Sequence, residues 1–528
     1  MSKILLEISN LKKYFGDRLI LDIEQLTVYS GDKIGFVGLN GAGKTTLLKI
    51  IYGDCQADEG TITKIGEIGY INQLEAPEAA DEFLSGGEKT WLKIQQAMEA
   101  EPHLLLADEP ASNLSLSHIQ ALRKKLTYYK GSFILISHDR QLLNSVCGKI
   151  IEIEKGRLTT YSGNYDFYRR QKELEEAQAW EKYESYIGEK ERLESRVRQI
   201  KQKSAGTKLP RRMGNSEARL HINSVKESAK KVSQNVKMIE SRLNKLEEVK
   251  KPVIASHTRI DVPAGCNLYA KTAVEVSKLS KAFGGNILFS DVSMRIPTGS
   301  KTAMIGENGC GKTTLVKMIL DKAPGVRQAE GLRIAYFSQD MDIVDMNKTI
   351  YDNVAGESSR SQEDIRAVLA RLLFRREEVF KKAGVLSGGE LVKLSLAKLF
   401  CKDVNMLILD EPNNYLDIYS LEALDGMIRD YSGTILIVTH DESLISLANR
   451  LLIFKNKSLI TFEGSYSEYL EKQEAEKAKK EQKLDTNLRI QLENRRALLS
   501  GKLAFPGKGD DLEDIQREYM EISKLLRK

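Results

Sequence analysis

Two stretches of this chain set glycines, a lysine and threonines at the spacing that can cradle a polyphosphate: GLNGAGKTT (Gly38 to Thr46) and GENGCGKTT (Gly306 to Thr314). Each follows an apolar, strand-like run and precedes an amphipathic, helix-like one, the setting a phosphate loop requires. Gly38, Gly41 and Gly43, like Gly306, Gly309 and Gly311, let backbone N–H groups wrap phosphate oxygens. The helix N-terminus that follows adds positive potential. Lys44 and Lys312 are placed to reach the terminal phosphates, and Thr45 and Thr313 suit Mg2+. Downstream, LLLADEP (Leu104 to Pro110) and MLILDEP (Met406 to Pro412) are buried-type strands ending on two acids. They present Asp108 and Asp410 to the metal's shell, with Glu109 and Glu411 next in line to polarise an attacking water. A single Asp-Glu pair after a strand is as often a helix cap; its company here points to hydrolysis.

That company is an internal repeat. LSGGE recurs at Leu84 to Glu88 and Leu386 to Glu390, and FILISHD (Phe133 to Asp139) is matched by ILIVTHD (Ile435 to Asp441). In both copies 24 residues separate the serine of LSGGE from the second acid, and 29 separate that acid from the histidine. Strand-like and helix-like runs together give an α/β class in each copy.

The P-loop, LSGGE, Asp-Glu-Pro and the following histidine together resemble the signature set of ABC ATPases. In that family two cassettes face head to tail, and each ATP lies between one P-loop and the other cassette's LSGGE. The resemblance implies a first site of Gly38 to Thr46 (Asn40, Lys44, Thr45 and Thr46 among them), Gln73, Asp108, Glu109 and His138 with Ser387, Gly388 and Gly389. It implies a second of Gly306 to Thr314 (with Asn308, Lys312, Thr313 and Thr314), Gln339, Asp410, Glu411 and His440 with Ser85, Gly86 and Gly87. Gln73 and Gln339 would join the metal's shell. Phe15 and Phe283 sit where the family stacks an aromatic ring on adenine, ordinary core packing being the alternative. Two departures stand out. The loop after Asp-Glu-Pro ends in Asp417 in the second copy but in Ser115 in the first, so the second site lacks one carboxylate and is expected to be slower. Gln339 to Leu386 spans 47 residues, room for a helical subdomain, whereas Gln73 to Leu84 spans only 11. In membrane transporters that subdomain docks the membrane partner.

Between the copies, heptad-like steps predict an antiparallel helical hairpin. One arm carries Tyr183, Tyr186, Leu193, Val197 and Ile200, the other Val225, Ala229, Val232, Val236, Ile239, Leu243 and Leu246. Arms of about 30 residues would project roughly 45 Å. Around the turn lie Arg196, Arg198, Lys201, Lys203, Lys208, Arg211, Arg212 and Arg219, with Glu217 as the single acid. The whole chain carries only +6, so its positive charge is concentrated there. Such a run is either a solvated helix face or, at a hairpin tip, a phosphate-binding surface for nucleic acid. Leu209 and Met213 lie amid this charge, for packing on bases, on RNA-bound small molecules or within the tip. A second hairpin is expected in the tail, with Leu484, Leu488, Leu492 and Leu499 before a break at Gly501 to Gly509 and Leu512, Ile515, Tyr519, Ile522 and Leu526 after it.

The 41% apolar and 29% charged content is that of a soluble globular chain. No apolar run approaches the roughly 18 to 20 residues of a membrane span, and MSKILLEISN lacks the core of a signal peptide. Cys55, Cys147, Cys266, Cys310 and Cys401 are scattered, which predicts buried thiols in a reducing cytoplasm.

Tandem cassettes, a basic hairpin between them, no membrane segment, and the closing stretches YSGNYDFY and FEGSYSEY resemble the ABC-F family of ribosome-associated factors. The expected organisation is an ABC ATPase domain at 1–169, a hairpin linker at 170–270, a second ABC ATPase domain at 271–470 and a helical extension at 471–528. The resemblance implies an ATP- and Mg2+-dependent monomer that enters the exit site for tRNA on the bacterial ribosome, its linker reaching P-site tRNA and large-subunit rRNA. Within the family, the trimmed first cassette and the tail resemble antibiotic-resistance members of the Vga/VmlR/Lsa type, which dislodge lincosamides, pleuromutilins and streptogramin A. A housekeeping ABC-F factor, the ATPase half of a drug exporter, and a DNA-repair ATPase are the rival readings. The last two fit poorly, because the first cassette has almost no docking subdomain and the hairpin lies between the cassettes rather than inside one.

Overall fold

The computed structural model describes residues 3–72, 86–112, 114–205, 215–249, 268–283, 286–338, 343–374, 376–504 and 511–526. The first half runs β1 (Ile4–Phe15), β2 (Arg18–Tyr29), β3 (Lys33–Val37), α1 (Lys44–Tyr52), β4 (Glu59–Lys64), β5 (Ile68–Ile71), α2 (Gly86–Glu99), β6 (Leu104–Asp108), α3 (Leu116–Tyr128), β7 (Ser132–Ile136), α4 (Arg140–Val146), β8 (Lys149–Glu154) and β9 (Arg157–Tyr161). Strands β2, β1 and β4 make a small antiparallel sheet. The main sheet has the order β5-β6-β7-β3-β8-β9, parallel except for its last pair. Its central strands are continuously apolar because helices cover both faces, and every residue of β6 and β7 is buried.

Helices α5 (Tyr165–Ala205) and α6 (Asn215–Lys245) follow. They form the antiparallel hairpin expected: Lys201 pairs with Glu240 at 3.0 Å, and Arg242 with Glu189 at 3.1 Å. Leu193 and Val236 are buried, Val232, Leu243 and Leu246 are less exposed than the residues flanking them, and Ile239 is half-buried, as the seam predicts. The first arm is longer than expected, 41 residues, because α5 starts inside the first cassette. Tyr165 and Tyr168 root it in that cassette's core.

The second half repeats the plan as β10 (Thr272–Phe283), β11 (Asn286–Pro297), β12 (Lys301–Ile305), α7 (Lys312–Leu320), β13 (Val326–Gln328), β14 (Ile334–Phe337), α8 (Ile350–Ala355), α9 (Gln362–Arg371), α10 (Gly388–Cys401), β15 (Met406–Asp410), α11 (Ile418–Asp430), β16 (Thr434–Val438), α12 (Glu442–Ser446), β17 (Arg450–Lys455) and β18 (Ser458–Glu463). The main-sheet order, β14-β15-β16-β12-β17-β18, matches the first. Helices α8 and α9 build the subdomain that the 47-residue interval allowed; among the described residues the first half has no element between β5 and α2.

In the tail, α13 (Tyr466–Ala504) and α14 (Leu512–Leu525) pair through Arg495 and Glu518 at 2.9 Å, with Leu499 and Ile522 buried. The break expected from Gly501 to Gly509 starts later than predicted: α13 continues through Gly501 to Ala504, and α14 begins at Leu512. One helical glycine costs about 1 kcal/mol, less than the packing that buries Leu499 returns. No described helix is long and apolar enough to cross a membrane. Cys147 and Cys401 are buried as expected, whereas Cys55 and Cys310 are only half-buried; Cys266 lies outside the described residues.

Candidate functional site

Both P-loops turn directly from a central strand into a helix. Gly43 and Gly311 hold φ of 99° and 103° at the helix N-caps. A Cβ on either would stand 2.7 Å from a leucine methyl, of Leu21 or Leu288, so conformation and space both demand glycine. The buried Lys44 ammonium donates to the carbonyls of Gly38 (2.8 Å) and Leu39 (3.0 Å), and Lys312 to those of Gly306 (2.9 Å) and Glu307 (3.0 Å). Each lysine thereby braces its own loop. Burial holds the Lys44 pKa below its ordinary value, opposed by the carboxylates of Glu109, Asp417 and Asp108.

Glu109 and Glu411 occupy the left-handed region, φ 48° and 47°. Such a conformation costs a non-glycine residue about 1–3 kcal/mol. It persists because their N–H groups donate to Ile136 O (2.9 Å) and Val438 O (2.8 Å) at the end of the neighbouring strand. Glu109 Oε2 accepts from His138 N at 3.2 Å. His138 Nε2 approaches Oε1 to 3.3 Å without hydrogen-bond alignment. In the second copy His440 Nε2 lies 3.6 Å from Glu411 Oε1 and 3.0 Å from Lys312 Nζ. Burial pushes Glu411 up to about 8, and burial with the nearby Lys312 ammonium pulls His440 down to about 3.

The residues present fit Mg2+. Burial raises the pKa of Asp108, while the Thr45 hydroxyl bonded to it lowers it; its Oδ2 is a buried oxygen without a partner. Asp410 is likewise raised by burial, against hydrogen bonds from Thr313 and from Tyr336, whose OH donates at 3.2 Å. A hydroxyl and a carboxylate are the hard oxygen donors that this ion takes alongside phosphate and water.

The halves meet head to tail. Asn40 of the first P-loop donates from its N–H to Asp417 Oδ2 (3.3 Å) and from Nδ2 to Tyr415 O (3.0 Å). Ser387 caps α10 in a capping box with Glu390. A Cβ on Gly389 would come within 3.2 Å of Asn40 Nδ2, so the second LSGGE motif lies against the first P-loop. The contact is reciprocal in the core: Ile418 packs into the first cassette and Leu116 into the second. Ser115 keeps its hydroxyl on its own helix, accepting from His118 N at 3.5 Å and sharing a bond with Ser117.

Of the other predicted residues, Phe15 is 57% exposed with Lys13 Nζ 5.8 Å from its ring centre, which removes core packing as its explanation. Gln73, Ser85, Gln339, Lys208, Arg211 and Arg212 lie outside the described residues, as do the side chains of Phe283, Lys203 and Arg219. Arg196, Arg198 and Lys201 are exposed. Folding returns acids to two of them, Glu194 to Arg198 (3.4 Å) and Glu240 to Lys201 (3.0 Å), which counting along the basic stretch missed.

Sequence reasoning also missed a polar network between the halves. Tyr168, Tyr419 and Glu152 hydrogen-bond to one another, and Lys172 pairs with Glu152 at 2.9 Å. Glu422 takes Tyr165 OH and Arg169 Nε, both at 2.9 Å. Arg140 pairs with Asp425, and Arg123 with Glu442 at 2.9 Å. The signal available was unlike residues at matched positions of the repeat.

Family models described as ABC transporter match residues 21–78 and 289–414, and a companion extension model matches 151–261. The erythromycin resistance ATP-binding protein MsrA of Staphylococcus epidermidis is 33% identical over 476 residues, 84% of this chain and 96% of that protein. The ribosome protection protein VmlR of Bacillus subtilis is 29% identical over 560 residues, 99% of this chain and 98% of that protein. The ATP-binding protein Uup of Buchnera aphidicola is 30% identical over 532 residues, 90% of this chain and 85% of that protein. Among solved structures, the archaeal ribosome recycling factor aABCE1 in complex with the stalk protein aP1 shares the fold, with a TM-score of 0.56 at 18% identity over 88% of this chain and 92% of that one. By its paired ATP-binding cassettes, its linker and these relatives, the chain belongs to the ABC-F family and is an ATPase.

Proposed function

We propose that this ATPase protects the bacterial ribosome from drugs bound to its large subunit. In this reading the closed pair of cassettes enters the tRNA exit site, and the linker reaches P-site tRNA and the rRNA around the peptidyl transferase centre. A lincosamide, pleuromutilin or streptogramin A molecule is thereby dislodged. The observation that carries the reading is the composite first site, where Asn40, Asp417 and Gly389 bring one P-loop against the other cassette. Nucleotide held there favours closure, and closure sets the linker root. The exposed Arg196, Arg198 and Lys201 supply phosphate contacts on rRNA or tRNA. The full-length likeness to VmlR supports the choice of target.

Within each site Lys44 and Lys312 bind phosphate oxygens, and Glu109 and Glu411 orient the attacking water with His138 and His440 beside them. Thr45 with Asp108, and Thr313 with Asp410, hold Mg2+, which when bound neutralises charge on the phosphates. The glycines of LSGGE close the site from the opposite half. Phe15, and Phe283 in the second site, stack on adenine.

The test is cell-free bacterial translation with purified protein and each drug in turn, erythromycin included because MsrA is named for it. Protection that requires ATP supports the proposal; uninhibited ribosome binding without protection against any drug selects a housekeeping role. The double variant Glu109→Gln with Glu411→Gln is expected to stay on ribosomes with ATP. Its absence from the ribosomal pellet would remove the ribosome as target.

A further inference from the structure

A fixed offset of 302 residues carries Asp108 onto Asp410 and His138 onto His440. The same offset carries Arg123 onto Asp425 and Arg140 onto Glu442, so at both positions the repeat reverses its charge. In the fold these four residues form two bridges between the halves. Arg123 on α3 meets Glu442 at the start of α12 at 2.9 Å. In the symmetry-related bridge Arg140, at the start of α4, meets Asp425 on α11. Their side chains are only 6–25% exposed, so water screens them little.

We infer that these two bridges form a pairing code, which fits each cassette face to the other half and rejects the same face of a second copy of the chain. Each cassette offers two like charges, arginines on the first and acids on the second. A first cassette meeting another first cassette would set Arg123 against Arg140 twice. Two second cassettes would set Asp425 against Glu442 twice. Buried like charges oppose association strongly, and an unpaired buried charge is itself costly. The apolar contacts supply no such discrimination: Leu116 and Ile418 are related by the same offset and are interchangeable in kind. The helix caps Asp139 and Asp441, also matched, are identical.

A duplicated chain needs this discrimination. The linker raises the effective concentration of the internal partner, but it does not prevent like faces of separate molecules from meeting. A two-fold pairing of identical faces is the commonest route to a homodimer; opposite charges at matched positions close that route while leaving the internal pairing intact. The inference is independent of the ribosome and of drug protection.

The test uses the full chain in the Glu109→Gln, Glu411→Gln background, with mass read by light scattering in ATP and Mg2+. Closure is read in parallel from fluorescence transfer between labels on the two cassettes. The parent is expected to close as a monomer of 59.4 kDa. Arg140→Glu breaks one internal bridge and makes the first face self-complementary, so its self-association constant should rise by at least about tenfold. Arg123→Glu should behave in the same way. Combined, the two reversals leave a wholly acidic first face that fits neither partner, giving a monomer that does not close. Adding Asp425→Arg and Glu442→Arg should restore the closed monomer, which separates loss of pairing from loss of folding. The code is overturned if both single reversals remain monomeric, or if the combined variant self-associates as strongly as they do.

Discussion

Asp139 and Asp441 cap α4 and α12, Asp139 accepting from Leu142 N at 2.9 Å. Burial pushes the Asp139 carboxyl up to about 6, with the Asp441 carboxylate adding to it and Arg123 opposing. A raised folded-state pKa means that the stabilising contribution is complete below the ordinary value of 3.8 and is lost as pH rises through about 6. Asp139→Asn keeps the capping oxygen and cannot ionise. Melting curves should therefore match the wild type near pH 4 and exceed it above pH 6, by up to about 3 kcal/mol; a constant difference across that range would exclude this cause. The two ATP sites differ, among other positions, in the carboxylate at the end of the loop after Asp-Glu-Pro. Asp417 lies on the first P-loop, whereas Ser115 is its counterpart for the second. Glu109→Gln, which leaves the second site, should then reduce steady-state ATPase activity several-fold more than Glu411→Gln. Ser115→Asp should recover part of that loss, and equal losses from the two variants would count against unequal sites.

Helix α11 joins two tasks. Its N-cap, Asp417, accepts from Asn40 in the first ATP site, and within its next two turns Tyr419 and Glu422 hold Tyr168, Tyr165 and Arg169 at the base of α5. The matched positions on α3 are Ser117 and Gln120, which offer no ring and no charge. Tyr419→Phe with Glu422→Gln should leave nucleotide binding within about twofold while weakening the response of the hairpin to ATP, since each bond removed contributes about 1–3 kcal/mol. Distances between labels on the hairpin and the second cassette would report it; an unchanged ATP response would mean that α11 does not couple the two. This junction was not legible in the sequence. P-loops and strand-end acids announce themselves because backbone geometry and phosphate chemistry restrict which residues serve. Tyr419 and Glu422 instead belong to an ordinary amphipathic helix, and their partners Tyr168 and Tyr165 lie 251 and 257 residues away. The hairpin seam was legible, being a local period. The start of α5 was not, because Tyr165 and Tyr168 serve a cassette core and a helix at once.

At the scale of the molecule, duplication explains why so much could be read: the same constraints were written twice, and agreement between copies marked them. It also explains what escaped, since several contacts between the halves use positions where the copies disagree, such as Arg123 and Asp425. Loss of the hairpin seam should separate ATP turnover from action at a distance. Leu193→Ala, at a buried site, is expected to speed amide exchange in α5 and α6 at a cost of about 2–3 kcal/mol while leaving basal hydrolysis intact; unchanged exchange would mean the arms do not depend on that seam. Helix α5 itself runs 41 residues without interruption, about 60 Å end to end. Gripped over its first two turns, it works as a pointer with a short inner arm and a long outer one. A tilt of about 5° at the grip sweeps the far end through roughly 5 Å, so adjustments at the base too small to disturb packing become displacements the width of a nucleobase at the tip.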